Sequence, residues 1–144
     1  MKVLFLDIDG VLNSAYVIEK CGRGDIIDRT MVERVNRIVD ATDCKIVISS
    51  TWRLFYPLGV LSALLRVHGL RDVLIGKTPD LDRSQYNRGD EIQAWLDTQP
   101  CVEKFVILDD DSDMSDVINH LVQTTFKEGL KDEHVDRAIA MLSS

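Results

Sequence analysis

Short apolar runs alternate with segments of helical period along the whole chain, and this alternation most constrains the fold. The runs are Lys2–Leu6, Lys45–Ile48, Val73–Ile75, Phe105–Leu108 and Leu121–Thr124. Between them, Asp28 reads as a helix N-cap, followed by Met31, Val32, Val35, Ile38 and Val39 at helical spacing. Pro57 suits a helix first turn. Leu61, Leu64, Leu65 and His68 continue that helix to Gly69, which caps it. A further helix from near Arg88 to Thr98 turns Ile92, Trp95 and Leu96 inward. A short helix spans Ser115 to His120, and the last starts near Asp132 with Val135, Ala138, Ile139 and Leu142 facing the core. The stretch Asn13–Ile27, which holds Gly22 and Gly24, reads as a polar loop. Such βα alternation predicts an α/β three-layer αβα sandwich built on a doubly wound, mostly parallel five-stranded sheet. With 144 residues and no linker or repeat, a single domain over residues 1–144 is expected.

Three of the runs end in polar clusters. The first ends in Asp7-Ile8-Asp9-Gly10, the second in Ser49-Ser50-Thr51-Trp52-Arg53, and the fourth in Asp109-Asp110-Asp111. In a doubly wound sheet, strand ends converge on one crevice at the carboxyl edge. Clustered carboxylates repel one another unless a cation offsets their charge, and carboxylate oxygens suit Mg²⁺. A hydroxyl and the backbone N–H groups that follow it, at a helix start, can hold phosphate oxygens.

Charge and composition exclude several classes. The net charge of −7 argues against extensive duplex contact, since a nucleic-acid binder shows a basic excess. Arg53, Arg83 and Arg88 leave room for a local basic patch. No apolar stretch reaches the roughly 18 residues that span a bilayer, so no membrane association is expected. Asp7 interrupts the first run, which therefore does not read as a signal peptide. Cys21, Cys44 and Cys101 show no metal-type spacing and fit reduced thiols in a cytoplasmic protein. Gly76-Lys77-Thr78 fails as a P-loop, because the required upstream glycine is Arg71. His68, His120 and His134 are scattered and read as ordinary structural side chains. Trp52 and Trp95 read as packing residues ahead of base-stacking ones.

On Asp7-Ile8-Asp9-Gly10-Val11, Ser49-Ser50-Thr51 and Ile107-Leu108-Asp109-Asp110, in that order, the chain resembles the haloacid dehalogenase (HAD) superfamily of phosphohydrolases. The finer pattern adds Ser-Ser-Thr-Trp-Arg and an Arg before Glu-Ile-x-x-Trp-Leu. It is similar to the phosphatase domains of RNA-repair proteins. The resemblance implies that Asp7 is a nucleophile forming an aspartyl-phosphate. It implies that Asp9 protonates the leaving oxygen and then activates water. Mg²⁺ would be held by Asp7, by Asp9 through its backbone carbonyl, and by Asp109 or Asp110. The phosphate-binding hydroxyl falls on Ser49 or Ser50. For the family's third-motif cation the candidates are Arg88, Lys77 and Arg83. Arg88 is preferred, because the inward face of its helix fixes its position. Arg53 is a second expected phosphate contact.

Many members of the superfamily carry a cap domain over the site. Neither the Gly10–Asp28 segment nor the segment before Arg88 is long enough to make one. An open site is therefore expected, suited to a phosphorylated macromolecule, such as a polynucleotide 3′ or 5′ phosphate end. Nucleotides and phosphoproteins remain open as substrates. A non-catalytic phosphate- or metal-binding module and a receiver-like domain are the other classes. The receiver reading is poor, because the third run ends in Gly76-Lys77 where a receiver needs an Asp.

Overall fold

A computed structural model describes residues 1–24 and 26–143. The sheet has five strands, β1 (Lys2–Leu6), β2 (Lys45–Ile48), β3 (Leu74–Lys77), β4 (Lys104–Asp109) and β5 (Leu121–Gln123). Their order is β3-β2-β1-β4-β5, and every pair is parallel. The helices are α1 (Ala15–Cys21), α2 (Arg29–Thr42), α3 (Leu58–Val67), α4 (Arg88–Asp97) and α5 (Asp132–Ser143). Two 3₁₀ turns, Thr51–Leu54 and Ser115–His120, follow β2 and precede β5. Strand order reverses between β1 and β4, and that switch point is where open α/β sheets bind ligands.

Both faces of the sheet are covered, so the strands are apolar throughout. Leu4, Leu6, Ile46, Ile48, Val106 and Leu108 face α2, α3 and α5 in the larger core. Val3, Phe5, Val47 and Ile107 face α4 and the second 3₁₀ turn in the smaller one. There Trp95 meets Phe5 edge-to-face at 5.5 Å. This parity has a consequence at the carboxyl edge. Asp7 continues the set of Val3 and Phe5, Ser49 that of Val47, and Asp109 that of Ile107. The register pairs Leu6 with both Ile48 and Leu108, so the next residues, Asp7, Ser49 and Asp109, stand side by side on the α4 face.

The expected loop at 13–27 contains α1, a correction to the sequence reading; residue 25 of that stretch lies outside the described residues. Helix α1 buries no side chain and so carries no apolar stripe to read. Its ends are fixed by Ser14, whose hydroxyl accepts from Val17 N–H, and by Gly22 at φ 69°. Strand β3 starts one residue later than expected and runs on through Lys77. A register irregularity at Ile46/Val47 leaves Ile75 unpaired and exposed. Strand β4 extends to Asp109, which pairs with Gln123. Among the described residues, no helix is long and apolar enough to cross a membrane. The three cysteines are free.

Candidate active site

The first strand delivers Asp7 to the switch point with its backbone fixed, since Asp7 N–H donates to Leu108 C=O at 3.0 Å. The chain then turns sharply. Gly10 takes φ 80°, its N–H donates to Asn13 Oδ1 at 2.9 Å, and its carbonyl accepts from Thr124 Oγ1 at 2.6 Å. A side chain at Gly10 would place Cβ 2.5 Å from the Asp110 carboxylate. Glycine is thus required twice, by conformation and by space.

Asp7, Asp109 and Asp110 offer carboxylate oxygens that all lie within 4.8 Å of one another. Arg88, in the first turn of α4, reaches into this cluster. Its Nη1 lies 3.1 Å from Asp7 Oδ1 and donates to Asp109 Oδ2 at 3.0 Å. Its Nη2 donates to Thr51 Oγ1 at 3.4 Å. One guanidinium does not neutralise three acids. Burial pushes the Asp7 carboxyl up to about 6 against the pull of Arg88. Burial and then the Asp7 charge push Asp109 up to about 7. Asp110 rises to about 6 through burial and the neighbouring Asp109 and Asp111 charges. Burial opposes the charge on Arg88, yet Asp7 and Asp109 hold its pKa above the ordinary arginine value. An all-oxygen, electron-rich cluster of this kind fits a hard divalent cation such as Mg²⁺.

Asp9 is placed differently. Its Oδ1 accepts from Asn13 Nδ2 at 2.9 Å and its Oδ2 from Trp52 Nε1 at 3.1 Å. The carboxylate is outside the three-acid cluster; the expectation for the metal concerned the Asp9 backbone carbonyl, not this side chain.

The two serines separate cleanly. Ser50 Oγ accepts from Trp52 N–H and caps the 3₁₀ turn. Ser49 Oγ is buried and has no hydrogen-bond partner among the described residues. Arg88 Nε is likewise buried and unpartnered. Buried polar atoms are normally satisfied, so a hydroxyl and an arginine N–H left over beside the acids fit the oxygens of a bound phosphoryl group.

Arg53 is not available for phosphate, contrary to the sequence expectation. Its Nε donates to Thr78 C=O, Nη1 to the carbonyls of Ser49 and Ser50, and Nη2 to Pro79 C=O and Glu91 Oε2. All five N–H donors are used inside the protein. Arg53 instead clamps the end of β2 to the segment after β3. Glu91, fully buried, receives it at 2.8 Å and receives Arg83 at 2.6 Å. Lys77, the alternative cation, donates to Arg53 C=O at 3.3 Å and is not brought to the acids. The three histidines lie elsewhere: His120 stacks on Phe105 at 3.8 Å, His68 contacts Leu64 C=O, and His134 accepts from Lys131 N–H.

Sequence reasoning missed Asn13, Thr124 and Glu91 as parts of the site's frame; Trp52 packs against the core as expected, but its bond to Asp9 was not foreseen. Asn13 carried a local signal, three residues beyond Gly10 in a turn. The others come from elements distant in sequence.

An open parallel sheet with a carboxylate cluster at its switch point and no separate cap is the architecture of a HAD-like domain. The family model described as the HAD domain in Swiss Army Knife RNA repair proteins matches residues 3–135. The chain belongs to that family, which implies a phosphatase-type hydrolase. No curated protein and no solved structure matches the chain.

Proposed function

We propose that this chain is a Mg²⁺-dependent phosphomonoesterase that acts through an aspartyl-phosphate on Asp7, with a phosphorylated end of a single-stranded polynucleotide as substrate. The observation that carries the chemistry is the meeting of Asp7, Asp109 and Asp110 with Arg88 and the unpartnered Ser49 hydroxyl. An Asp7 oxygen attacks phosphorus and the bond to the leaving oxygen breaks. Asp9 gives that oxygen its proton. Asp9 then takes a proton from water, whose oxygen displaces Asp7 and releases inorganic phosphate. Ser49 and Arg88 donate to the non-bridging oxygens and hold the phosphoryl group in line. Asp7, Asp109 and Asp110, with the Asp9 carbonyl, are the residues that would hold Mg²⁺, which supplies charge neutralisation.

The choice of substrate rests on the rim. Among the described residues the exposed aromatics are Tyr16, Phe55, Tyr56, Tyr86 and Phe126. Every one lies on a connection that leaves the carboxyl edge of the sheet: Tyr16 after β1, Phe55 and Tyr56 after β2, Tyr86 after β3 and Phe126 after β5. Exposed rings around a phosphate site suit unstacked bases, and stacking contributes about 1–3 kcal/mol per base without needing a basic surface. A net charge of −7 is compatible with engaging an end and not with tracking a duplex.

Phosphate release should be followed with and without Mg²⁺ on an aryl phosphate, nucleotides, 3′- and 5′-phosphorylated oligonucleotides and phosphopeptides. Mg²⁺-dependent release, fastest on oligonucleotide ends and lost in Asp7→Asn, is the expected result. Faster release from phosphopeptides than from any oligonucleotide would overturn the substrate assignment. No release from any member would overturn the enzymatic one.

A further inference from the structure

We infer that Trp52 is a positioning residue for proton transfer: its indole N–H, with the Asn13 amide, fixes the plane of the Asp9 carboxylate. The inference rests on the proposed role of Asp9 as proton donor and goes beyond it by naming what aims the donor.

Asp9 is half-buried, and each of its oxygens accepts one side-chain hydrogen bond, from Asn13 Nδ2 at 2.9 Å and from Trp52 Nε1 at 3.1 Å. Two donors on different oxygens fix both the position and the rotation of a carboxyl plane, whereas one leaves it free to pivot. Indole N–H is a donor only, and the Asn13 NH₂ group cannot accept either. A proton on Asp9 therefore sits on a lone pair that neither neighbour occupies, and the direction in which it is offered is fixed.

The two anchors are themselves fixed. Asn13 is buried; its Oδ1 takes the Gly10 N–H and its Nδ2 also donates to Ile26 C=O at 3.2 Å. Trp52 sits in the turn after β2, where its own N–H is held by Ser50 Oγ at 3.2 Å, and its ring lies 5.9 Å from that of Tyr56. The next residue, Arg53, spends every donor on this same turn and its surroundings. The Asp9 carboxylate of the β1 loop is thus tied to a rigid β2 turn that carries Ser49, so proton donor and phosphate-binding hydroxyl move as one unit. A surface tryptophan would have no need of a carboxylate partner from an element 43 residues away.

The test is Trp52→Phe, which keeps an aromatic ring and deletes the N–H, compared with Trp52→Ala and Asp9→Asn. Each is assayed on an alkyl or nucleoside phosphate, whose leaving oxygen needs a proton, and on a nitrophenyl phosphate, whose leaving group does not. Folding is checked by thermal melting. Losing the bond that aims Asp9 should lower kcat/KM, which reports expulsion of the leaving oxygen, by about tenfold to a hundredfold on the poor leaving group. On the nitrophenyl ester the loss in kcat/KM should stay below about threefold, because its leaving group needs no proton; kcat, which includes the Asp9-assisted hydrolysis common to both substrates, is not compared. A packing role predicts instead that Phe restores what Ala loses, equally on both substrates; that result overturns the inference. Wild-type activity lost in Asp9→Asn but unchanged in Trp52→Phe overturns the positioning role alone. Full activity in Asp9→Asn overturns the assignment of Asp9 and this inference with it.

Discussion

Asp109 offers a substitution that should make the metal-free protein more stable while removing its metal site. Its side chain is fully buried, and its carboxyl is pushed up to about 7 from an ordinary 3.8, by burial first and the Asp7 charge second. The difference, 7 minus 3.8, is about 3 units. At about 1.4 kcal/mol per unit, ionising Asp109 in the folded chain at pH ~8 costs about 4 kcal/mol relative to the unfolded chain. Asp109→Asn removes that cost, in which the pull of Arg88 is already included. An amide has one oxygen where Asp109 uses two, for Arg88 at 3.0 Å and for Asp111 N–H at 2.9 Å, so one donor loses its acceptor; that offsets about half and leaves a gain of about 2 kcal/mol. For a chain of this size that is a rise in Tm of about 4–8 °C. The folded state binds this proton more tightly than the unfolded state between pH ~4 and ~7, so wild-type stability falls as pH rises through that window. The advantage of the variant should therefore be present at pH ~8 and vanish near pH ~5. Thermal unfolding in chelator at both pH values measures it. Saturating Mg²⁺ should raise the wild-type Tm, by about 2.7 kcal/mol at a hundredfold excess over Kd, and do much less for the variant. An Asp109→Asn protein less stable than wild type at pH ~8 in chelator, or a gap indifferent to pH, would refute the reasoning.

Other consequences are as direct. Ser50→Ala should lower stability by about 1 kcal/mol through loss of the turn cap while sparing much of the activity. Ser49→Ala should leave the unfolding free energy within about 0.5 kcal/mol of wild type, as read by thermal melting, since its hydroxyl has no partner to lose. It should lower kcat/KM by at least about tenfold, as read in steady-state assays. Glu91→Gln leaves Arg53 buried against a neutral amide and should cost about 3–5 kcal/mol in chemical denaturation. Gly10→Ala meets the Asp110 carboxylate at 2.5 Å and should cut Mg²⁺-dependent turnover by about a hundredfold. Retained turnover there would show that the β1 turn can relax.

The parts of the fold set by burial were legible. Apolar runs covered on both faces announce parallel strands, and the stripe of Met31, Val35, Ile38 and Val39 announced α2. Helix α1 was illegible for the complementary reason: it is held by its caps and buries nothing, so no periodicity marks it. In the site, the acids were legible because each ends an apolar run, and strand parity then delivers Asp7 and Asp109 to one face. Arg88 could be placed, because Ile92, Trp95 and Leu96 fix which way its helix turns. Arg53 was misplaced, since sequence reveals a charge but not whether five carbonyl and carboxylate acceptors surround it. Trp52 was read correctly as packing, but its indole bond to Asp9 was not legible, because that partner comes from another strand's loop. What sequence conveys poorly is satisfaction: Ser49 and Ser50 are adjacent and chemically identical, and only the fold distinguishes the employed hydroxyl from the idle one.

Helix α1 bears on how such a molecule changes over time. It joins the Asp7–Gly10 turn to α2, yet no side chain between its two caps is buried. The flanks are pinned independently, by Asp28 N–H on Leu12 C=O and by Ala15 N–H on Phe126 C=O. Lengthening a surface connection costs only about 0.6 kcal/mol per doubling. Apart from Val17, which packs against the larger core, the helix is therefore only loosely tied to the fold. Evolution, or an engineer, can graft a longer or shorter piece there without renegotiating the fold that holds the acidic cluster.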